Sequence, residues 1–252
     1  MFDDQFETIV ADTERSKAIH YNLRYQVYCL TKRFENPAAF PDQQESDIYD
    51  KNSVRFIVRH RDSGQWVGAM RLVLAVPEKL PLTRVSTIDA DSTRGPKGAV
   101  AAEASRLCVL PSNIGSDGRL TIVHPSVITL ALIRAAREYS LTHNIRFSYL
   151  LITAQLARIL GRVGIEIKPV GPITDHRGLR RPYLHDFKNG YKAMRDKSPL
   201  IYEMFLVTPT YKYYSDMYVR TVRQPRTQLF SNEPSEFISA GPQLGQFLLR
   251  PI

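Results

Sequence analysis

The alternation of apolar and polar positions is clearest between residues 54 and 76. Val54 to His60 and Gln65 to Val76 are rich in β-branched and aromatic residues and are parted by Arg61-Asp62-Ser63-Gly64, a composition suited to a tight turn. They predict a β-hairpin. Ahead of it, Ile19, Leu23, Tyr25, Val27 and Leu30 predict a helix from Asp12 to about Phe34, with Asp12 or Thr13 as its N-cap. Residues 37 to 53 carry two prolines and a run of acids and predict a surface loop. Beyond the hairpin, 77 to 99 and 111 to 124 read as connections on either side of a strand from Val100 to Leu110. Pro125 to about His143 predicts a buried helix, since Pro is tolerated in a first turn. Ile145 to Thr153 reads as a strand. Ala154 to Val163 predicts a short helix with Leu156, Ile159, Leu160 and Val163 on one face and Gly164 as its stop. A strand Ile165 to Pro169, a basic loop over 174 to 198 and a last strand Tyr202 to Val207 follow.

That order predicts a single α/β (α+β) layered domain over residues 1–223. Residues 224–252, with four prolines and two glycines, predict a tail unable to support a core. At 252 residues and 43% hydrophobic, the chain has material for one sizeable core. No apolar run approaches the roughly 18 to 20 residues of a membrane span. The acidic opening Met1-Phe2-Asp3-Asp4 lacks a secretory signal's basic flank, so the expected location is the cytoplasm. Two cysteines, Cys29 and Cys108, make neither a disulfide framework nor a zinc cluster, and a reduced, metal-free protein with no bound cofactor is expected. The formal charge of +9 calls for an acidic partner.

The candidate chemistry begins on the strand Val100 to Leu110. Alternation puts Glu103 and Ser105 on one face and Arg106 on the other, both faces being otherwise mainly apolar. Charges in so dry a setting need a partner or a purpose. Arg71 shares a face with Val67, Ala69 and Val73 and needs a carboxylate. Glu45, Asp47 and Asp50 lie in the loop just ahead, with Arg24 on the first helix facing them. Such a cluster is either a structural network or a site.

Arg24, Tyr28 and Phe34, then Glu45-Ser46-Asp47-Ile48-Tyr49-Asp50, Val67-Gly68-Ala69-Met70-Arg71-Leu72 and Glu103-Ala104-Ser105-Arg106 resemble the signature of the acyl-homoserine-lactone synthases. With Arg24 to Leu30 and Ser53 to Ile57 included, the chain looks closer still to the N-acyl amino acid synthases found beside exosortase and PEP-CTERM systems. The resemblance covers residues 15 to 110 and continues more loosely through Gly161-Arg162-Val163-Gly164 to Gly171. It implies a GNAT fold, with a mixed sheet flanked by helices and splayed between Val100 to Leu110 and Arg146 to Thr153, where a thioester arm wedges in. It implies transfer of a long-chain acyl group from acyl carrier protein, through acyl-phosphopantetheine, or from acyl-CoA, to an amino acid. A lactone synthase using S-adenosylmethionine is the alternative, and the aromatic identities at Tyr28 and Phe34 depart from that family's. A basic module for nucleic acid or a membrane surface is a third reading. No interleaving of aromatics with Lys/Arg in a known module and no basic amphipathic helix supports it.

Within that frame Glu103 is the expected general base, Ser105 orients water or the thiol unless it is merely a small packed residue, and Arg106 completes the catalytic set. Backbone N–H groups freed by a bulge near Leu107 to Val109 are expected to hold the oxyanion. Arg24, Arg71 and Arg106 either clamp an acceptor carboxylate or hold Asp47 and Asp50, which order the acceptor side with Tyr28 and Phe34. Arg158, Arg162 and Lys168, with Arg177, Arg180 and Arg181 after them, predict a basic surface where an acidic carrier protein docks.

Overall fold

A computed structural model describes residues 2–89, 101–110, 113–114, 121–122 and 124–217. The strands are β1 (Phe6–Val10), β2 (Ser53–His60), β3 (Trp66–Ala75), β4 (Ala101–Val109), β5 (Asn113–Ile114), β6 (Thr121–Ile122), β7 (Phe147–Ile152), β8 (Lys168–Pro169), β9 (Thr174–Asp175), β10 (Leu179–Asp186) and β11 (Lys212–Tyr213). The helices are α1 (Phe2–Gln5), α2 (Glu14–Arg24), α3 (Pro125–Thr142), α4 (Ala154–Arg162), α5 (Met194–Lys197) and α6 (Pro199–Leu206). The main sheet runs β11-β1-β2-β3-β4-β7-β10-β8, with β9 paired to β10. Its pairs are antiparallel except β1 with β11 and β4 with β7.

Strand alternation divides the core between two faces. Phe56, Val58, Met70 and Leu72 meet Ile128, Leu132, Ala135 and Ala136 of α3 on one face, where Leu160 of α4 joins the same cluster. Ile57, Ala69 and Cys108 meet Leu23 and Val27 on the other. Each of the larger buried side chains, from valine to phenylalanine, contributes about 1.5–3 kcal/mol, so the sheet is clamped between helical layers. The first helix starts where the sequence places it: Thr13 and Ser16 form a reciprocal capping box. Past Arg24 the chain continues as a π-helix over Tyr25–Thr31.

The hairpin, the central strand, the buried helix and α4 stand where the sequence predicts them. Four elements differ. β1 has no counterpart in the sequence expectations; it pairs with β2 from Phe6↔His60 to Val10↔Phe56. The predicted strand Tyr202 to Val207 is instead the helix α6, opened by Pro199, with Ile201, Met204 and Phe205 spaced three and four apart to face the core. The strand predicted from Ile165 pairs only at Lys168–Pro169, because the Ile165 and Glu166 N–H groups bond the Leu160 and Gly190 carbonyls. The basic loop contains β10, paired with β7 from Arg181↔Ile152 to Asp186↔Phe147. The 224–252 tail and Val100 lie outside the described residues, as does most of the 111–124 connection. Among the described residues no helix is long and apolar enough to cross a membrane.

Candidate active site

The site is assembled where α2 and its π-helical extension, the 42–52 segment and β4 converge. Arg24 closes α2 as its last residue, and its guanidinium reaches Glu45 Oε2 at 2.5 Å and Asp50 Oδ1 at 2.7 Å. Arg71, on β3, grips Asp47 with two parallel bonds of 2.6 and 2.7 Å, lies 2.9 Å from Asp50, and donates through Nε to Ser105 Oγ at 3.1 Å. The Asp50 carboxylate also accepts the Asp47 N–H at 2.8 Å, and its carbonyl accepts from Arg55. Arg24 and Arg71 are both 0% exposed, beside Glu45 at 1% and Asp50 at 4%. Charges so deep persist only when paired on both sides. Burial opposes ionisation of Asp47, but the Arg71 bonds and the Arg71 and Arg106 charges hold its carboxyl below the usual range. Arg24 and Arg71 do the same for Asp50.

Arg106 belongs to this network, against the simple alternation that puts it on the opposite face from Glu103 and Ser105. The register between β3 and β4 shifts between Ala69↔Cys108 and Arg71↔Ser105, so two residues of β4 face Met70 alone. Arg106 takes φ +52° at this bulge. The extra residue turns its side chain to the side of Ser105, where Nη2 lies 3.1 Å from both Glu45 and Asp47 and 3.4 Å from Glu35. Tyr28 braces the bulge: its hydroxyl donates to the Leu107 carbonyl at 2.8 Å, and the Arg106 guanidinium sits 5.6 Å from its ring centroid. Arg177 pairs with Glu35 and stacks over Phe34.

β4 and β7 are joined only over Ala102↔Ser148, Glu103↔Tyr149 and Ala104↔Leu150, beyond which they part. Two cavities meet at that opening, sharing Tyr28, Ala104, Ser105, Arg106, Leu151 and Arg180 in their walls. On the α3 and α4 face lies an apolar cavity of about 160 Å³, with Leu107, Leu150, Ile152, Leu156 and Ile165 among its walls. The other, of about 230 Å³, is polar and holds Asp47, Arg71, Glu103, Arg84, Arg177 and Arg180. Glu103 is 4% exposed, and its Oε2 accepts the Leu82 N–H at 2.8 Å. Burial pushes its carboxyl up to about 7, although the Leu82 N–H and the Arg71 and Arg106 charges favour the anion.

A half-joined pair of parallel strands beside a bulge leaves a gap with cavities on both sides, and the acetyltransferase (GNAT) domain model matches residues 23–122. The chain has the GNAT fold. The structure of a CoA-dependent acyl-homoserine lactone synthase, BjaI, with SAM and isopentyl-CoA aligns at TM-score 0.55 and 16% identity, covering 83% of this chain and 92% of its own. Another CoA-dependent synthase of that kind, MesI, aligns at TM-score 0.57 and 16% identity, covering 82% and 98%. FeeM, an N-acyl amino acid synthase from uncultured soil microbes, aligns at TM-score 0.49 and 12% identity over 79% and 98%. No curated protein sequence matches.

Tyr28, Asp47, Arg71, Glu103, Ser105 and Arg106 all line the polar cavity. Arg24 and Asp50 stand behind that wall, buried in ion pairs, and Phe34 sits outside it with its ring 6.2 Å from Tyr28. Arg158, Arg162 and Lys168 are exposed on and after α4. Arg177 and Arg180, grouped by sequence with that basic surface, are half-buried and line the polar cavity. β9 and β10 turn this end of the segment back across the gap. Arg180 has no carboxylate partner among the described residues; its Nη1 reaches only the Leu151 carbonyl, at 3.5 Å. The sequence reading also passed over Leu82 and Arg84, which nothing in their local pattern singles out.

Proposed function

We propose that this chain is an N-acyltransferase that moves an acyl group from a thioester to the α-amine of an amino acid. The carrying observation is Glu103, a carboxylate with acidity near neutrality, in the wall of a polar cavity where the sheet parts. In this reading the thioester arm lies between β4 and β7, its acyl group in the apolar cavity and the acceptor in the polar one. The amine nitrogen attacks the thioester carbonyl carbon, and Glu103 takes the proton the nitrogen sheds, directly or through one water. The bulge at Arg106–Leu107 withdraws a backbone N–H from the β3 ladder, a donor suited to the carbonyl oxygen as it becomes negative. Collapse re-forms the carbonyl, breaks the C–S bond and releases the thiolate, which recovers a proton. Ser105, held by Arg71, orients the water or the thiol, and Asp47 faces the acceptor amine.

The walls of the polar cavity favour an anionic acceptor. Five arginines (Arg71, Arg84, Arg106, Arg177 and Arg180) face it against two carboxylates, Asp47 and Glu103. S-Adenosylmethionine, the acceptor of the second reading, shares the amino acid's carboxylate for Arg180 but adds a sulfonium cation that this wall repels, which favours the plain amino acid. The donor is carrier-bound, docked on Arg158, Arg162 and Lys168, or a CoA thioester. Two free, buried cysteines are consistent with work in the cytoplasm. About 160 Å³ seats roughly six heavy atoms unaided, so the space favours a short or medium acyl group over the long chain the resemblance implies. The test is purified protein with acyl-CoA and, separately, with acyl carrier protein thioester, each offered a mixture of amino acids or S-adenosylmethionine, read by mass spectrometry. N-acyl amino acids are expected; acyl lactones would select the second reading, and no transfer to either acceptor would overturn both.

A further inference from the structure

Resting on that acyl transfer, we propose that the apolar cavity selects an acyl group whose far end carries a hydroxyl. Besides Ser105, Arg106 and Arg180 at the opening shared with the polar cavity, three polar side chains, Ser148, His185 and Tyr191, line a cavity otherwise walled by aliphatic and aromatic groups. They lie together at one end. His185 is directly opposite Ser148 across the β7–β10 ladder, and Ser148 is opposite Ala102 across β4–β7. Ala102↔Ser148 is the closed end of the wedge, on the far side of the last pair, Ala104↔Leu150, from the bulge where the thioester carbonyl is placed. An acyl group with its carbonyl at the bulge therefore points its tail at these three side chains.

Their hydrogen bonding is incomplete. His185 is 4% exposed and Tyr191 5%. The His185 Nδ1 lies 2.8 Å from the Glu166 carbonyl, a contact that places the proton on Nδ1. Nε2 is left as a bare acceptor with no partner among the described residues, and the Tyr191 hydroxyl has none either. Ser148 has only a 3.4 Å contact to the Tyr149 carbonyl. The rings are held in place: His185 packs edge-on against Tyr191 and Phe187 at 4.8 and 5.3 Å, and the Arg137 guanidinium covers Tyr191 at 5.0 Å. Buried polar atoms are nearly always partnered, so a wall that leaves two of them bare is incomplete without an occupant.

The tautomer narrows what that occupant offers. Nε2 accepts only, so it needs a donor; the Tyr191 O–H donates as well. A hydroxyl gives its proton to Nε2 and accepts from Tyr191, a ketone satisfies Tyr191 alone, and a methyl satisfies neither. A site built to bond a substrate hydroxyl discriminates strongly against the analogue without it.

Calorimetric titration of the wild-type protein with the 4′-phosphopantetheine thioesters of 5-hydroxyhexanoate, 5-oxohexanoate and hexanoate, the arm that CoA and a carrier protein share, tests this without any acceptor. The hydroxyacyl thioester is expected to bind at least tenfold more tightly than the other two, with His185→Phe and Tyr191→Phe each bringing that ratio towards one. Tyr191→Phe removes a single oxygen and keeps the test available if His185→Phe fails to fold. Equal binding of all three thioesters, or a preference untouched by both variants, overturns the hydroxyl site and leaves the acyl-transfer reading standing. Binding of none of the three overturns the thioester reading, and the hydroxyl site with it.

Discussion

Glu103 links the chemistry of the site to the stability of the fold. Its folded acidity, about 7, stands above the ordinary 4.5 because the carboxyl is buried. Between those values the folded chain holds a proton that the unfolded chain has released, so this group's contribution falls as pH rises from about 4.5 to 7. The full loss is on the order of 3 kcal/mol. Glu103→Gln has nothing to ionise and can still accept the Leu82 N–H, so its urea midpoint should gain on the wild type between pH 5 and pH 8, while product formation is lost. In the wild type, turnover should rise through about pH 7 and level off above it; a pH-independent rate would remove Glu103 as base. Arg24→Met strips Glu45 and Asp50 of a fully buried cation, and a loss of about 3 kcal/mol or more is expected in denaturant titration. That pairing was legible in the sequence, because an arginine one helix away from three clustered acids has few other partners. The side on which Arg106 projects was not legible: one residue inserted at the bulge inverts the alternation, and no residue type at that point announces it.

At the scale of elements, α4 offers a paired test of how a helix ends. Gly164 follows it at φ +84°, and a Cβ there would run into the Met194 backbone. Gly164→Ala should therefore cost more than about 1 kcal/mol. Gly161 sits inside the helix with open space around it, and Gly161→Ala should stabilise by roughly 0.5–1 kcal/mol. Thermal melts of the two variants check the contrast, and equal effects would contradict the cap. The stop at Gly164 was readable because glycine is the residue that tolerates such a backbone. β10 was not, since Leu179-Arg180-Arg181-Pro182-Tyr183 shows charge and a proline, and its pairing is supplied by β7 rather than by its own pattern. α6 misled for the opposite reason: a mainly apolar stretch of eight residues, broken by Glu203, suits either strand or helix, and Pro199 at its start marks the latter.

Among the described residues of the whole molecule, two groups of positive charge bear on function. One lies inside, at Arg177 and Arg180 beside the gap, and the other outside, where Arg158 and Arg162 of α4 are joined by Lys197, whose Nζ reaches the Gly161 carbonyl at 3.2 Å. If the outer group docks an acidic carrier, Arg158→Glu with Arg162→Glu should raise KM for the carrier-borne donor several-fold and flatten its salt dependence. Steady-state kinetics at two ionic strengths decide this, and unchanged KM would put docking elsewhere. The parallel pairing of β11 with β1 carries a separate consequence. Ile9 and Val10 lie alongside Lys212 and Tyr213, so the opening of the chain is sealed by a stretch more than two hundred positions later. A version cut back to residue 207 would bare the outer edge of β1, leave Glu7 without Lys212 and present unfilled backbone donors and acceptors, so self-association edge to edge is expected by sedimentation.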